Sequence, residues 1–493
     1  MNNQQIRLKK GENNGLYDFS NISKVSKTII KDRSFMVEFN KQANQLIKDN
    51  QAKLINKIND FIKSQVQTQV RSDTAQKQTL FTKQYKESTQ VNSNVDNQIQ
   101  FTRKEVFILL LMMYSNQIEN DNQIMKQTGF YQINMEQIKQ SNSQQSYEKL
   151  KCIHSYFLNF FQKFIQKDES SIIQMQIQDI ENQIRKQEQI MLLLQTQRDN
   201  LKQKLNNSMP KQYNEEDELI TFIRRTEYRI YDEVFKNYKD PICQFDIKKG
   251  RCEDIKNSIL VNFADKNVGG LSLDTRNIAQ EEVLMLTHPE ALIAMLFMQQ
   301  MKDNEAILIR NVIKYNDYDG YESTFKQKEE AYFKINEPSL KQNQAVIKNH
   351  ILFMDALYYQ NWQTQFDQSF IQRELLKGYV AFSLALEHLE IENISTGKWG
   401  CGIFHGDLTL KFLIQLLAFS QAYQDMINKN QLGQNQFQRS IIFNSFHDEQ
   451  FEYLVSEQKA QFSKQNSSIK YIHQLIEDLS KRVNSKKNNY AKN

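Results

Sequence analysis

From residue 258 onward the chain alternates short apolar runs with longer helical patterns, and this alternation constrains the fold more than any single motif. The runs are Ser258 to Asp265 (SILVNFAD), Ile307 to Val312, Ile351 to Met354 and Ile441 to Phe443. Each has the length of a buried strand and is too short for a buried helix. Helical periodicity occupies 282–301, 366–388, 407–425 and 468–482. Strands alternating with helices predict an α/β core.

The upstream half reads differently. The chain has four prolines, the first at Pro210, so no proline break interrupts the residues before it. Residues 1–34 are polar and read as loosely ordered. Phe39, Ile47, Leu54, Ile58, Phe61 and Ile62 give 35–68 the spacing of an amphipathic helix. Residues 69–98, rich in Gln, Ser, Thr and Asn, read as a linker or loop, and 103–166 return to a helical pattern. Over 172–206, Ile173, Ile177, Ile180, Ile184, Gln187, Met191, Leu194, Arg198, Leu201 and Leu205 alternate in steps of four and three. That is an a/d seam, which fits a helical hairpin or an intermolecular coiled coil. It fits equally a long surface helix packed on its own domain. The reading divides the chain into an N-terminal helical and low-complexity segment (1–98), a helical accessory region (99–168), a coiled-coil insertion (169–210), an α/β domain (211–482) and a disordered tail (483–493).

Composition excludes several classes. The formal charge of +5, from 63 basic and 58 acidic residues, is too mild to imply nucleic-acid binding, and no direct DNA binding is expected. Cys152, Cys243, Cys252 and Cys401 form no CxxC and have no histidine at metal spacing, so no metal site is expected. They fit a reducing, intracellular compartment, cytoplasmic or nuclear. The opening MNNQQIRLKKGENN lacks the apolar core of a secretory signal. The longest apolar run, Val106 to Tyr114, is too short to span a bilayer, so no membrane association is expected.

Glycine is scarce, 13 in 493 residues, yet six fall in two clusters. Gly269-Gly270 follows the first apolar run and precedes Gln280-Glu281-Glu282. The second cluster is Thr396-Gly397-Lys398-Trp399-Gly400-Cys401-Gly402-Ile403-Phe404-His405-Gly406-Asp407. Glycine spent this way brings backbone close to something, and backbone N–H groups can then approach a phosphate. Ligands of open α/β sheets bind beyond the carboxyl ends of strands, where the Gly269-Gly270 pair falls. Two adjacent carboxylates resist joint ionisation, so one proton is held to higher pH, as protonation of a glycosidic oxygen requires. The plainer reading of Glu281-Glu282 is an acidic first helical turn favoured by the helix dipole. Tyr315, Tyr318, Tyr321 and Phe325 surround Gly320 on a loop suited either to stacking on a base or to covering the core. Asp407 is placed to cap the helix that follows. His405 and His447 lie in the candidate ligand loops, and the other five histidines read as packing or surface residues.

Taken in order, VNFADKNVGGLSLDTRNIAQEE (261–282), HPEALIAMLF (288–297), YNDYDGYESTF (315–325), FMDALYY (353–359), STGKWGCGIFHGDLTLKFLIQLLA (395–418) and SIIFNSFHDEQ (440–450) resemble the poly(ADP-ribose) glycohydrolase family. INMEQIKQSNSQQSYEKLKCIHSYF (133–157) resembles its helical accessory region. The resemblance implies a macrodomain-like αβα sandwich with a helical accessory domain, to which the coiled-coil insertion is added. It implies binding of ADP-ribose and hydrolysis of the ribose–ribose O-glycosidic bonds of poly(ADP-ribose), with no cofactor. By that likeness Glu282 is the acid/base and Glu281 positions the leaving ribose. Gly269 and Gly270 contact the diphosphate, and Gln280 orients the adenosine end. Tyr321 is the ligand-side tyrosine, and Phe404 and Phe446 flank the diphosphate and distal ribose. Lys398, Gly400 and Gly402 belong to the second ligand loop.

The chain departs from the family pattern inside this site. Leu271 stands where a third glycine is expected, with a Cβ that would crowd the diphosphate. Asn262 and Asp265 replace an aspartate and an asparagine, Lys398 an asparagine, and His405 and His447 two glycines. These departures also fit a catalytically impaired ADP-ribose-binding scaffold, held in a cytoskeletal or ciliary assembly by a protein partner on 173–205. A reader that binds ADP-ribose without cleaving it is the third alternative.

Overall fold

The computed structural model describes residues 6–8, 33–81, 94–116, 118–120, 135–165, 218–236, 240–255, 258–276, 278–328, 348–388, 393–430, 439–465 and 468–490. The heptad segment 172–206 lies outside the described residues. Eight strands form the central sheet: β1 (Asn94–Thr102), β2 (Leu219–Glu227), β3 (Gln244–Lys248), β4 (Ser258–Ala264), β5 (Glu305–Ile313), β6 (Lys348–Asp355), β7 (Asn393–Thr396) and β8 (Ser440–Asn444). Their spatial order is β1-β2-β5-β6-β4-β7-β8-β3. The five from β6 to β3 run parallel, whereas β5, β2 and β1 each run antiparallel to the preceding neighbour.

Alternating side chains send the strands into two cores. On one face Leu260, Ile307, Ile309, Ile351 and Phe353 join Phe101 and Phe222 under α1 (Arg33–Phe81), α2 (Arg103–Tyr114) and α3 (Gln144–Phe160). On the other face Ile259, Val261, Leu308, Leu352 and Met354 meet α5 (Gln368–His388), α6 (Leu408–Asn430) and α8 (Ile469–Tyr490). Two more helices stand in the chain, α4 (Gln280–Thr287) between α3 and α5 and α7 (Glu449–Gln465) between α6 and α8. The architecture is the expected αβα sandwich.

Several element boundaries differ from those read in the sequence. The stretch 69–98 read as linker holds the end of α1 and the start of β1, so β1 crosses the boundary placed between 98 and 99. The helical pattern over 282–301 breaks at Pro289, whose missing N–H ends α4; a 3-10 segment, Pro289–Ile293, and one short turn follow. The region 483–493 read as a tail includes the end of α8. Ile6–Leu8, within the stretch read as loosely ordered, pairs with Ile118–Asn120. The segment 1–98 does not stand apart, because α1 packs Phe39 on Phe161 and Phe61 on Phe297, and Gln65 donates to the Phe297 carbonyl at 2.8 Å.

Candidate functional site

The carboxyl ends of β4, β6, β7 and β8 share one edge of the parallel sheet, and the loops leaving them carry most of the residues singled out from sequence, Tyr321 coming from the segment after β5. After β4 the chain turns sharply through Gly269 and Gly270, at φ +92° and +45°. It then enters α4, whose first residues are Gln280, Glu281 and Glu282. Gln280 accepts from Phe263 N–H at 2.8 Å and donates to the Val261 carbonyl at 2.9 Å, which pins the start of α4 to β4.

The two carboxylates then turn back onto the glycine loop. Glu281 accepts from Asp265 N–H at 2.7 Å and Gly269 N–H at 2.8 Å. Glu282 accepts from Leu271 N–H at 2.8 Å and, as the cap of its own helix, from Ala279 N–H at 2.7 Å. Each glutamate is 4% exposed, so water contributes little to its charge. Burial is the largest force raising both above the usual carboxylate range, and for Glu281 the charge of Glu282 adds to it. Protons on such a pair belong to the pair.

This geometry explains the glycines differently from the sequence reading. Gly269 and Gly270 were expected to offer amides to a diphosphate. Here Gly269 N–H is taken by Glu281, and Gly270 N–H bonds Asn267 O at 3.0 Å. What approaches the backbone closely is the carboxylate pair. A Cβ on Gly270 would stand 2.5 Å from Glu282 Oε1 and 2.6 Å from Glu281 Oε2. Leu271 is half-buried, lies outside the left-handed region, and spends its N–H on Glu282.

Asn262 is buried and donates weakly, at 3.4 Å, to the Glu281 carbonyl; its Oδ1 finds no partner among the described residues. Asp265 folds its carboxylate onto Asn267, at 2.8 and 2.9 Å, and its charge adds to the load on Glu281. Tyr321 lies against Phe446, ring centroids 5.5 Å apart, and burial pushes its phenol up to about 12. Phe446 is 42% exposed and, with His447, adopts a left-handed conformation at φ +51° and +60°. Ser445 and Phe446 N–H groups bond Lys248 O and Gly250 O, so the end of β3 fixes this turn.

In the loop after β7, a Cβ on Gly397 would reach 2.8 Å from Asn444 O and 3.3 Å from the Phe263 ring, which joins this loop to the β4 side. Trp399 is buried, donating to Met354 O at 3.0 Å. Lys398 pairs with Asp448 at 2.8 Å. A Cβ on Gly400, at φ +72°, would stand 2.6 Å from the Ala356 Cβ, whereas one on Gly402 would meet nothing within 4 Å. Phe404 stands edge-on to Tyr358 at 6.2 Å, and His405, at φ +60°, holds a left-handed conformation. The N–H groups of Gly402, Ile403 and Phe404 have no acceptor among the described residues. Asp407 caps α6 through Leu410 N–H at 2.8 Å, as its position implied.

Sequence reasoning missed the groups beneath these loops. Gln365 accepts from Asp407 N–H at 2.6 Å. Lys411, buried beside Gly400 and Gly406 with its ammonium 4.3 Å from the Trp399 ring, pairs with Glu374. Lys149 of α3 binds the far end of the glycine loop. Each is a charged or amide residue inside an ordinary helical or loop pattern, and no local signal separates it from a solvated face. Among the described residues no group of three or more His, Cys, Asp or Glu is arranged to hold a metal, and no helix is long and apolar enough to cross a membrane.

The catalytic-domain model of poly(ADP-ribose) glycohydrolase, macro domain fold, matches residues 233–452. Poly(ADP-ribose) glycohydrolase 1 of Caenorhabditis elegans is 32% identical over 173 residues, 34% of this chain and 22% of its own length. Poly(ADP-ribose) glycohydrolase 1 of Arabidopsis thaliana is 27% identical over 260 residues, 39% of this chain and 46% of its own length. The chain thus spans less than half the length of these two curated relatives. Among solved structures, poly(ADP-ribose) glycohydrolase from Deinococcus radiodurans in complex with ADP-ribose shares 12% identity over 47% of this chain and 89% of that one, with a TM-score of 0.25 too low to add weight. Residues 233–452 of the chain thus match the poly(ADP-ribose) glycohydrolase family.

Proposed function

We propose that this chain binds ADP-ribose along the carboxyl edge of its sheet and hydrolyses the ribose–ribose O-glycosidic bonds of poly(ADP-ribose), releasing ADP-ribose. The observation that carries the reading is the buried Glu281–Glu282 pair, whose four oxygens are held by backbone N–H groups at the start of α4. Burial keeps a proton on the pair at a pH where an exposed carboxylate has lost it. Glu282 gives that proton to the departing ribose hydroxyl oxygen as the C–O bond breaks. The resulting carboxylate takes a proton from the water that adds to the oxocarbenium carbon, which restores the acid. Glu281, locked by Asp265 and Gly269 N–H, positions the leaving ribose.

The diphosphate seat moves, in this reading, to the second loop. The open amides of Gly402, Ile403 and Phe404 form the kind of nest that holds an anion, and Lys398 supplies a cation beside them. Gly400 shapes this turn. Tyr321 and Phe446 offer adjoining ring faces to a base, and Gln280 and Asn262 border the adenosine side. All four cysteines are free thiols, which supports work in a reducing, intracellular compartment.

A second reading, ADP-ribose binding without turnover, is favoured by the Lys398–Asp448 pair, which competes with a diphosphate for the cation. The two readings separate in one assay. Release of ADP-ribose from a poly(ADP-ribosyl)ated protein is expected from the wild type and is expected to vanish in a folded Glu282→Ala variant. Equal release from that variant would remove Glu282 from the mechanism. Binding of ADP-ribose with no release by the wild type would select the second reading.

A further inference from the structure

Lys149 lies on α3, in the helical region before the sheet's parallel half, yet its charge ends beside the candidate acid. The residue is 0% exposed. Its Nζ donates to the carbonyls of Leu271 at 2.6 Å, Asp274 at 2.7 Å and Arg276 at 3.0 Å. An ammonium has three protons, and all three are spent on one turn of backbone. A buried lysine is costly, and nothing in hydrophobic packing calls for one here. Leu271 is therefore gripped at both ends: its carbonyl by Lys149 and its N–H by Glu282 Oε1. The preceding residue of α3, Glu148, accepts from Gln327 N–H at 2.9 Å, and the Cys152 carbonyl accepts from Asn316 at 3.0 Å. One helix thus grips the glycine turn and both ends of the Tyr321 loop.

We propose that Lys149 is a positioning residue for Glu282, fixing the turn so that Leu271 N–H stays on the carboxylate while its positive charge stabilises the ionised form. The inference rests on the hydrolase reading for its effect on rate and on the geometry alone for its effect on the turn. Burial lowers the Lys149 ammonium to about 8, against the attraction of Glu282 and Asp274 and with the repulsion of Arg276. Burial raises Glu282 above the usual carboxylate range, and the Leu271 and Ala279 amides, with Lys149 after them, offset part of that rise. The other ionisable groups in this neighbourhood are Glu281 on α4, Asp265 beside Glu281, and Tyr321 on the neighbouring loop.

The test uses the full chain carrying Lys149→Met or Lys149→Arg, with folding checked by thermal melting. In Lys149→Met the Leu271 amide is expected to exchange its hydrogen at least about tenfold faster, while the amides of β5 and β6 are unchanged. If hydrolysis is present, removing the cation raises the Glu282 pKa, so the basic limb of kcat/KM moves up by about one pH unit. Lys149→Arg is expected to keep the wild-type limb, which a merely space-filling role does not predict. Should Lys149→Met fail to fold, Lys149→Gln supplies the same neutral comparison. Unchanged Leu271 exchange in a folded neutral variant overturns the proposal, and so does an unmoved limb in an active one. A wild type that releases no ADP-ribose counts against the hydrolase reading, and hydrogen exchange then decides the inference by itself.

Discussion

A Cβ is the smallest change that tests this site. Gly270 has φ +45° and its missing Cβ would fall within 2.6 Å of both carboxylates. Gly270→Ala is expected to cost about 2 kcal/mol of stability through strain and displaced carboxylates, and to remove at least about 90% of turnover. Gly402 has open space where the Cβ would go. Gly402→Ala is expected to change stability by less than about 0.5 kcal/mol while weakening ADP-ribose binding, measured by calorimetry. That pair of outcomes would separate two glycines that look alike in sequence, one serving the protein's own packing and one, on the proposed reading, serving a ligand. The carboxylates give a second residue-scale prediction. Their folded pKa values lie above the usual 4.5, so the folded state holds protons more tightly than the unfolded one. Their contribution to stability is present below about pH 4.5 and is lost as pH rises through the folded values. The melting-temperature gap between wild type and Glu281→Ala is therefore expected to shrink from pH 5 to pH 8, and kcat/KM to fall over the same direction of pH as the acid is lost. The Gln280-Glu281-Glu282 cluster was legible in the chain because it follows a strand and a glycine pair. The use of the loop's amides on those glutamates was not, since it depends on where α4 returns relative to β4.

One joint between elements is polar and wholly buried. Arg103, the first residue of α2, is wholly buried and pairs with Glu290 at 2.6 Å and Glu218 at 3.2 Å, also bonding the Asn311 carbonyl. Glu290 also accepts from Ile313 N–H at 2.9 Å and the Tyr315 hydroxyl at 3.1 Å. This network ties α2 to the end of β5 and to the segment after α4. Arg103→Met is expected to cost about 3–5 kcal/mol, because it strands a buried carboxylate, and a second change, Glu290→Gln, is expected to recover part of that loss in urea unfolding. Just before it, Thr102 and Glu105 exchange side-chain bonds with each other's N–H at 3.1 and 3.0 Å, which starts α2 where β1 stops. Elements with strong apolar runs, such as β4, β5, β6 and β8, were legible because the interior of this sheet is covered by helices on both faces. β1 was not: NVDNQIQFT is polar at most positions, as suits an edge strand, with Ile99 and Phe101 alone buried. α7 escaped for a related reason, its polar outer face leaving a weak apolar stripe on Phe451, Val455 and Phe462.

Across the whole molecule, the N-terminal elements complete one of the two cores instead of forming a core of their own. α1 lays Phe39, Ile58, Phe61 and Ile62 over the face that includes Phe101, Phe107 and Phe297. Deleting residues 1–93 is expected to leave that face open, seen as dye binding and as association in size-exclusion chromatography, and to lower the melting temperature. A chain whose accessory region were a separate unit would lose nothing of the kind. The charge of +5 and the absence of proline before Pro210 said nothing of this arrangement, because long-range packing leaves no local trace. It does carry a consequence in time. Gln65 and Phe297 are 232 residues apart in the chain, and among the described strands β1 pairs with β2 alone, which in turn pairs with β5. At a synthesis rate of roughly 5–20 residues per second, the Phe61–Gln65 stretch of α1 waits roughly 10–50 s after it is made before Phe297 exists. During that interval an amphipathic helix ending at Phe81 has its apolar stripe without the surface it was shaped for, so the nascent chain, more than the finished protein, is where chaperone dependence is set.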